Sequence, residues 1–299
     1  VDKRPRRVQT CGGLTCDFLE GPGVTAHPSE LLKANDPDGA LKALQDMVRA
    51  NPSDGKLRIF LFQLLCVLGD WKRAVTQLKL CAELEASALP MAQTYREAII
   101  CEVFRERVFA GEKAPLIFGE PQEWLALLVE ANKVLAQGDP AKAATLRETA
   151  FDAAPAASGH VDGVAFEWIA DADMRLGPVL EIIIDGKYFW MPFSSIETLK
   201  IDPPVDLRDA VWTAVTLRLR NGGESVGLVP TRYPGTTGAA DGAARMARVT
   251  NWADAGSETY LGTGQRLLTT DQGDLALMDI REITLDLAAE AEPDPALHG

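Results

Sequence analysis

Histidine is scarce in this 299-residue chain: three copies, His27, His160 and His298, lie near the two ends and in a stretch of small polar residues. A His-based zinc site and a Ser-His-Asp triad both depend on imidazole, so neither serves as the basis of function. Positive charge is also short. Against 43 Asp and Glu stand 30 Lys and Arg, a formal net charge of −13. A surplus of that size repels polyanions, which argues against nucleic acid as a partner and against charge-driven attachment to a membrane. No apolar run approaches the roughly 18 residues that a membrane-spanning helix needs. The first residues carry no apolar signal-peptide core, and we expect a cytoplasmic protein. Cysteine is sparse too, with five copies. Cys66, Cys81 and Cys101 fall on apolar faces of predicted helices, where a free thiol behaves as a small hydrophobe in a reducing compartment. Cys11 and Cys16 form a C-x4-C spacing with no second pair and no neighbouring His, so they read as no metal site.

What the chain does have is a helical repeat. Its length already favours two cores over one. Shifting the sequence by 34 residues places Asp36 on Asp70, Ala40 on Ala74 and Leu44 on Leu78. A further shift of 69 places Gly69 on Gly138, Asp70 on Asp139 and Ala74 on Ala143, with Arg147 where the earlier copies have Leu. These are the turn and close-packing positions of a tetratricopeptide (TPR) unit, two antiparallel helices joined by a Gly-Asp turn. Pro52 and Pro155 stand where such a repeat ends its second helix. The pattern predicts helices over 28–33, 37–50, 54–68, 71–85, 90–110, 123–137 and 140–153, with Asp36-Pro37 and Asp139-Pro140 as capping Asp followed by Pro at the first helical position. The helix from Pro90 and the loop 111–121 interrupt the array, which predicts a compact helical domain with a short groove.

After a small, polar linker at 154–163 the period changes. The run from Phe166 to Ile201, FEWIADADMRLGPVLEIIIDGKYFWMPFSSIETLKI, is the densest in β-branched and aromatic residues. LEIII at 180–184 and KYFWM at 187–191 are joined by Asp185-Gly186, a pair suited to the positive φ angles of a type I′ hairpin turn. Further strands are expected at 166–169, 196–201, 210–220, 225–229, 266–269, 275–278 and 280–285. In 210–220, Leu217 and Leu219 share one face and Arg218 and Arg220 the other. The stretch 231–256 reads as a long loop with one short helix around 242–248. The fold class is therefore multi-domain α and β: a disordered extension over 1–27, a TPR-like α-helical domain over 28–155, a mainly antiparallel β (α+β) domain over 156–286, and a disordered acidic tail over 287–299.

Candidate functional residues follow from this layout. Glu167, Asp171 and Asp173 sit on a predicted connection where spaced carboxylates can converge on a divalent cation, the basis of an alternative reading as a metal-dependent hydrolase or small-ligand domain. Their competing role is turn-making ahead of Pro178. The glycine-rich stretch 235–242 lacks the Gly-Lys-Ser/Thr ending of a phosphate loop. Trp168, Tyr188, Trp190 and Phe193 read as core. A helical repeat offers an apolar groove to a partner helix; repeat spacing turns Lys56, Ile59, Gln63 and Cys66, with Leu128, Asn132 and Leu135, toward its concave side. The other candidate surface is basic. Arg175, Arg208, Arg218, Arg220, Arg232 and Arg266 can bind an acidic partner or tie loops down, and Arg218, Arg220 and Arg232 would form its face. Nothing here calls for a cofactor.

Three blocks carry a resemblance to a known family. FEWIADADMRLGPVLEIIIDGKYFWMPF, then VWTAVTLRLRNGGESVGLVPTRYPG at 211–235, then LGTGQR at 261–266 resemble, in order, the blocks of the ImpE family, also called TagJ. With the helical half, the likeness covers roughly residues 28–286. The resemblance implies a non-enzymatic accessory protein of bacterial type VI secretion. It also implies a partner, the small subunit of the contractile sheath, bound through that subunit's N-terminal helix, and an indirect influence on the sheath's disassembly ATPase.

Overall fold

The computed structural model describes residues 26–120 and 122–286. The expected disorder of 1–27 falls outside it except at its last two residues, and His27 there caps the first helix through its Nδ1. The acidic tail 287–299, His298 and the Cys11/Cys16 pair also lie outside the described residues.

Among the described residues, seven α-helices form the N-terminal half: α1 (Pro28–Lys33), α2 (Pro37–Ala50), α3 (Gly55–Val67), α4 (Trp71–Leu84), α5 (Leu89–Phe109), α6 (Glu123–Ala136) and α7 (Pro140–Ala153). Their bounds match the pattern to within two residues, because the stop and start signals are local. Asn35, Gly69 and Gly138 all take left-handed backbone, with φ of 61°, 74° and 88°. Each is followed by an Asp whose N–H reaches back to Leu31, Leu65 or Val134 at 2.9, 2.9 and 3.2 Å. That is the 6→1 bond of a Schellman stop. The same Asp then accepts the N–H of Gly39, Arg73 or Lys142 and caps the next helix. Ala40, Ala74 and Ala143 are fully buried where the paired helices touch. At the third copy Arg147 is buried too and donates to Thr259 Oγ1 at 3.0 Å, so the leucine position is polar where the array meets the C-terminal half.

Among the described residues there are fourteen strands: β1 (Leu116–Ile117), β2 (Gly159–Val161), β3 (Val164–Phe166), β4 (Ile169–Asp171), β5 (Val179–Ile184), β6 (Lys187–Pro192), β7 (Ile196–Ile201), β8 (Trp212–Leu219), β9 (Glu224–Pro230), β10 (Thr250–Asp254), β11 (Tyr260–Gly264), β12 (Leu267–Thr270), β13 (Gly273–Ala276) and β14 (Glu282–Leu285). One short helix, α8 (Gly242–Arg245), interrupts them. A nine-stranded sheet runs β1-β6-β5-β9-β8-β7-β14-β2-β3, beside a three-stranded sheet β13-β12-β4 and a ribbon β10-β11. The β5–β6 hairpin is as expected, with Asp185 and Gly186 at φ of 47° and 67° and Ile184 opposite Lys187.

Several expectations need correction. The predicted strand at 166–169 is two strands in different sheets, broken at Glu167-Trp168, where the Glu167 N–H is held by Asp271 at 2.7 Å. Trp168 is 41% exposed rather than core. The supposed linker contributes β2, placed between β14 and β3. The long loop contains β10 and the start of β11 follows it; both were hidden because β10 is solvent-facing along nearly its whole length and β11 is rich in glycine, so neither shows an apolar alternation.

β5 explains how the halves join. All six of its residues are buried, because both faces of the strand are covered. Leu180, Ile182 and Ile184 enter a core whose buried residues come from the β half, with Phe118 of the α5–α6 loop packed against it. Val179 and Ile183 enter a second core shared with Phe62, Ile99, Val108 and Leu125 of the helices and with Trp190 and Trp212. Helices and sheet thus share one apolar core, and β1, from the loop after α5, pairs parallel with β6.

Candidate functional site

Glu181 faces the shared core between Val179 and Ile183, and it is fully buried. A lone acid inside an apolar strand needs partners. It has three. Arg105 of α5 grips it in bidentate fashion at 2.6 and 2.8 Å, Arg266 reaches it from the other side, and the Tyr188 hydroxyl donates to it. Burial pushes this carboxyl up, but the two guanidinium groups outweigh burial and hold it down to about 2. Arg105 also donates to the Arg232 carbonyl at 2.8 Å and contacts Glu102 at 3.3 Å, while Trp212 donates to Glu102 at 3.1 Å. Arg266 continues the chain of charges to Asp171 of β4. One run of ion pairs therefore links α5, the large sheet and the small sheet.

The carboxylates proposed for a metal are consumed by this framework. Asp171 is buried against Arg266 and accepts the Asp173 N–H at 2.8 Å; burial pushes its carboxyl up to about 7 against the pull of Arg266. Asp173 is fully buried, held by Arg175 at 2.9 and 2.5 Å and by the Gly262 N–H at 2.8 Å. Glu167 is exposed and apart from both. Among the described residues no group of three or more His, Cys, Asp or Glu is placed to hold a metal ion.

The arginines form no single face. Arg232 is buried and donates to the carbonyls of Val67 at 2.7 Å, Cys66 at 3.3 Å and Arg245, so it sits on the C-terminal end of α3. A cation there satisfies the last carbonyls of the helix and complements its dipole. Burial, joined by the nearby positive charges of Arg105 and Arg245, draws its guanidinium down to about 10 against the opposing pull of Glu102. Arg248 does the same for α1, donating to Leu32 O at 2.8 Å. Arg220 is bound to the carbonyls of Ser194 and Asp286, and Arg218 pairs with Glu197 at 3.2 Å. The basic surface of Arg218, Arg220 and Arg232 is thus dissolved into intramolecular ties.

The concave groove is corrected in the same way. Cys66 and Leu128 are fully buried, Gln63 and Asn132 are buried, Ile59 and Leu135 are half-buried, and Lys56 alone of the set is exposed. The β half fills that side: Arg232 docks on Cys66, Asp206 approaches Gln63, and Asn132 is spent on Val108 O at 2.8 Å within the helices. The two helices that do leave an open apolar cleft are α4 and α5. It measures about 890 Å³, floored by Val75, Leu78, Ala82 and Ala92 and rimmed by Lys79, Glu83, Gln93, Arg96 and Glu97. Leu89 and Ile100 line it while 58% and 56% exposed. Sequence reasoning missed it because it assumed a free concave face; the signal present was the pair of large apolar residues on the outer side of the inserted helix.

These features define a class: a tetratricopeptide-type helical array joined to a mainly antiparallel β module through a shared core and a buried charge network, with an open apolar cleft between α4 and α5. Comparison with known proteins agrees with the two-part architecture. Residues 31–90 match the tetratricopeptide repeat model and residues 163–284 match the ImpE protein model. The chain is 53% identical over 257 residues, 86% of its length and 90% of the relative's, to the type VI secretion system accessory component TagJ of Pseudomonas aeruginosa. It belongs to the ImpE family. It is also similar to the crystal structure of protein VPA1032 from Vibrio parahaemolyticus, with a TM-score of 0.80 and 27% identity, covering 87% of this chain and 97% of that one.

Proposed function

We propose that this chain is a non-enzymatic accessory component of a bacterial type VI secretion system, acting in the cytoplasm without a cofactor. The observation that carries this reading is the 53% identity, across nearly the whole of both chains, to a protein named for that role. The local chemistry supports it. The acidic side chains that a metal-dependent hydrolase would use are either neutralised by arginine inside the fold or isolated on the surface, whereas the helical half presents an open apolar cleft of the kind that receives a partner segment. The partner is the small subunit of the contractile sheath, engaged through its N-terminal helix, and holding that helix influences how the disassembly ATPase handles the sheath. Mixing the purified chain with the small sheath subunit, intact and lacking its N-terminal helix, tests this by analytical ultracentrifugation. A complex with the intact subunit alone is expected. Equal binding of both forms refutes the helix, and no binding of either refutes the partner.

A further inference from the structure

Strands at the rim of a sheet differ in how their outer side is used. Among the described residues β1 and β3, which end the large sheet, have two and three residues, and β4 and β13, which end the small one, have three and four. β10 and β11 have five each and pair only with one another. The far side of β11 is taken: Asp173 holds the Gly262 N–H at 2.8 Å, Thr236 holds the Gly264 N–H at 2.9 Å, and the Gly264 carbonyl accepts from Tyr233 at 3.0 Å. The far side of β10 is open. Val249 O accepts from Gln265 at 3.0 Å and the Ala255 N–H reaches Thr259 at 2.8 Å, which turns residues 249, 251, 253 and 255 toward β11. The N–H and C=O of Thr250, Trp252 and Asp254 therefore point outward, with no hydrogen-bond partner among the described residues. From Asn251 to Asp254 every residue is exposed, and the strand holds neither the Lys nor the Pro that ordinarily blunts such an edge.

We propose that β10 pairs antiparallel with β10 of a second copy of the chain, forming a two-fold dimer with Trp252 on the axis. The strand is complementary to itself. With Trp252 opposite the partner's Trp252, Thr250 meets the partner's Asp254 at each end, and every outward N–H and C=O of both strands is bonded; any slip leaves some of them bare. Charge favours the same register, because it sets Asp254 away from the partner's Asp254 and toward the end where Arg248 is held by Leu32 O and Asn35. The indole is also placed in advance. It is 40% exposed, lies across from Gly262 and sits 5.6 Å from the Tyr233 ring, so two indoles meet at the axis with little further ordering. Each copy has one such edge, since β11 closes the other side, and association stops at two. So short a contact falls below the roughly 800 Å² per partner of a standard interface, which gives a dissociation constant on the order of 10 μM or weaker. The pairing does not draw on the accessory role above, and either can fail without the other.

Sedimentation velocity of the full chain from about 1 to 500 μM tests it. A monomer–dimer equilibrium with no larger species is expected. Trp252→Lys sets two ammonium groups against each other at the axis and should weaken association about 10-fold or more. Asp254→Pro removes an outward N–H that the β10–β11 ladder does not use, and should weaken it by a similar factor. Circular dichroism establishes that each variant is folded, and either one alone suffices for the test. Val226→Asp, exposed on β9, should associate like the wild type. A wild type that stays monomeric throughout overturns the proposal and leaves the edge to an extended segment of another protein. A dimer that survives a folded edge variant, or that Val226→Asp disperses, lies elsewhere and overturns it, as does growth beyond two copies.

Discussion

Replacing Glu181 by Gln keeps the shape and most of the hydrogen-bonding capacity of the side chain but removes the charge between Arg105 and Arg266. Both guanidinium groups are buried, at 5% and 0% side-chain exposure. Arg105 retains Glu102 and the Arg232 carbonyl, and Arg266 retains Asp171, so neither is abandoned, yet Arg105 loses its strongest partner and Arg266 one of its two carboxylates. Breaking a buried pair by removing one member typically costs about 3–5 kcal/mol, which in a chain of this size lowers the melting temperature by roughly 6–15 °C. Because the carboxylate joins α5 to the sheet within a shared core, the loss should be felt by both halves together. Far-UV circular dichroism, dominated by the helices, and fluorescence of Trp190 and Trp212 at the junction should therefore shift by the same amount in one transition. The pH dependence has a definite sign. A carboxyl held near 2 from an ordinary 4.5 contributes stability that is present above pH 4.5 and is lost as the pH falls toward 2. The wild type should lose stability steeply over that window and the variant less so. A shift below about 1 kcal/mol, or a helical signal that stays in place while the fluorescence transition moves, would refute the claim that this charge network binds the halves into one cooperative unit.

Other variants probe separate parts of the same argument. Arg232→Met leaves the carbonyl of Val67 without its donor, while that of Cys66 keeps the Gly69 N–H, and should cost about 1–3 kcal/mol by denaturant titration; a neutral result would show that water replaces the guanidinium. Gly69→Ala forces a Cβ into left-handed backbone and to 2.7 Å from the Thr237 side chain, so a loss of about 1–3 kcal/mol is expected, against about none for an Ala at Gly238, where the added atom meets open space. Asp139→Ala removes the α7 cap and should cost about 1 kcal/mol, with hydrogen exchange at Lys142 rising first.

Local signals made the helical half legible from the sequence. A left-handed residue, then a capping Asp, then helix recurs at Asn35-Asp36, Gly69-Asp70 and Gly138-Asp139, and each signal acts within a few residues of itself. The β5–β6 hairpin was legible for the same reason, through Asp185-Gly186. The family, too, could be read from contiguous blocks. What the sequence could not disclose is which face of each element is free, because that depends on partners distant in the chain. Repeat spacing placed Gln63, Cys66, Leu128 and Asn132 on one side, yet all four are buried: Gln63 and Cys66 meet Asp206 and Arg232 of the β half, the latter arriving from more than 160 residues away to cap α3, Leu128 lies in the shared core, and Asn132 bonds Val108 of α5. The same tertiary packing turned Asp171 and Asp173 from candidate ligands into members of ion pairs, and moved the open apolar surface to α4 and α5. Sequence determines periodicity, caps and turns, whose energies are local; exposure is a property of the assembled chain, and here only the docking of sheet on helices decided it.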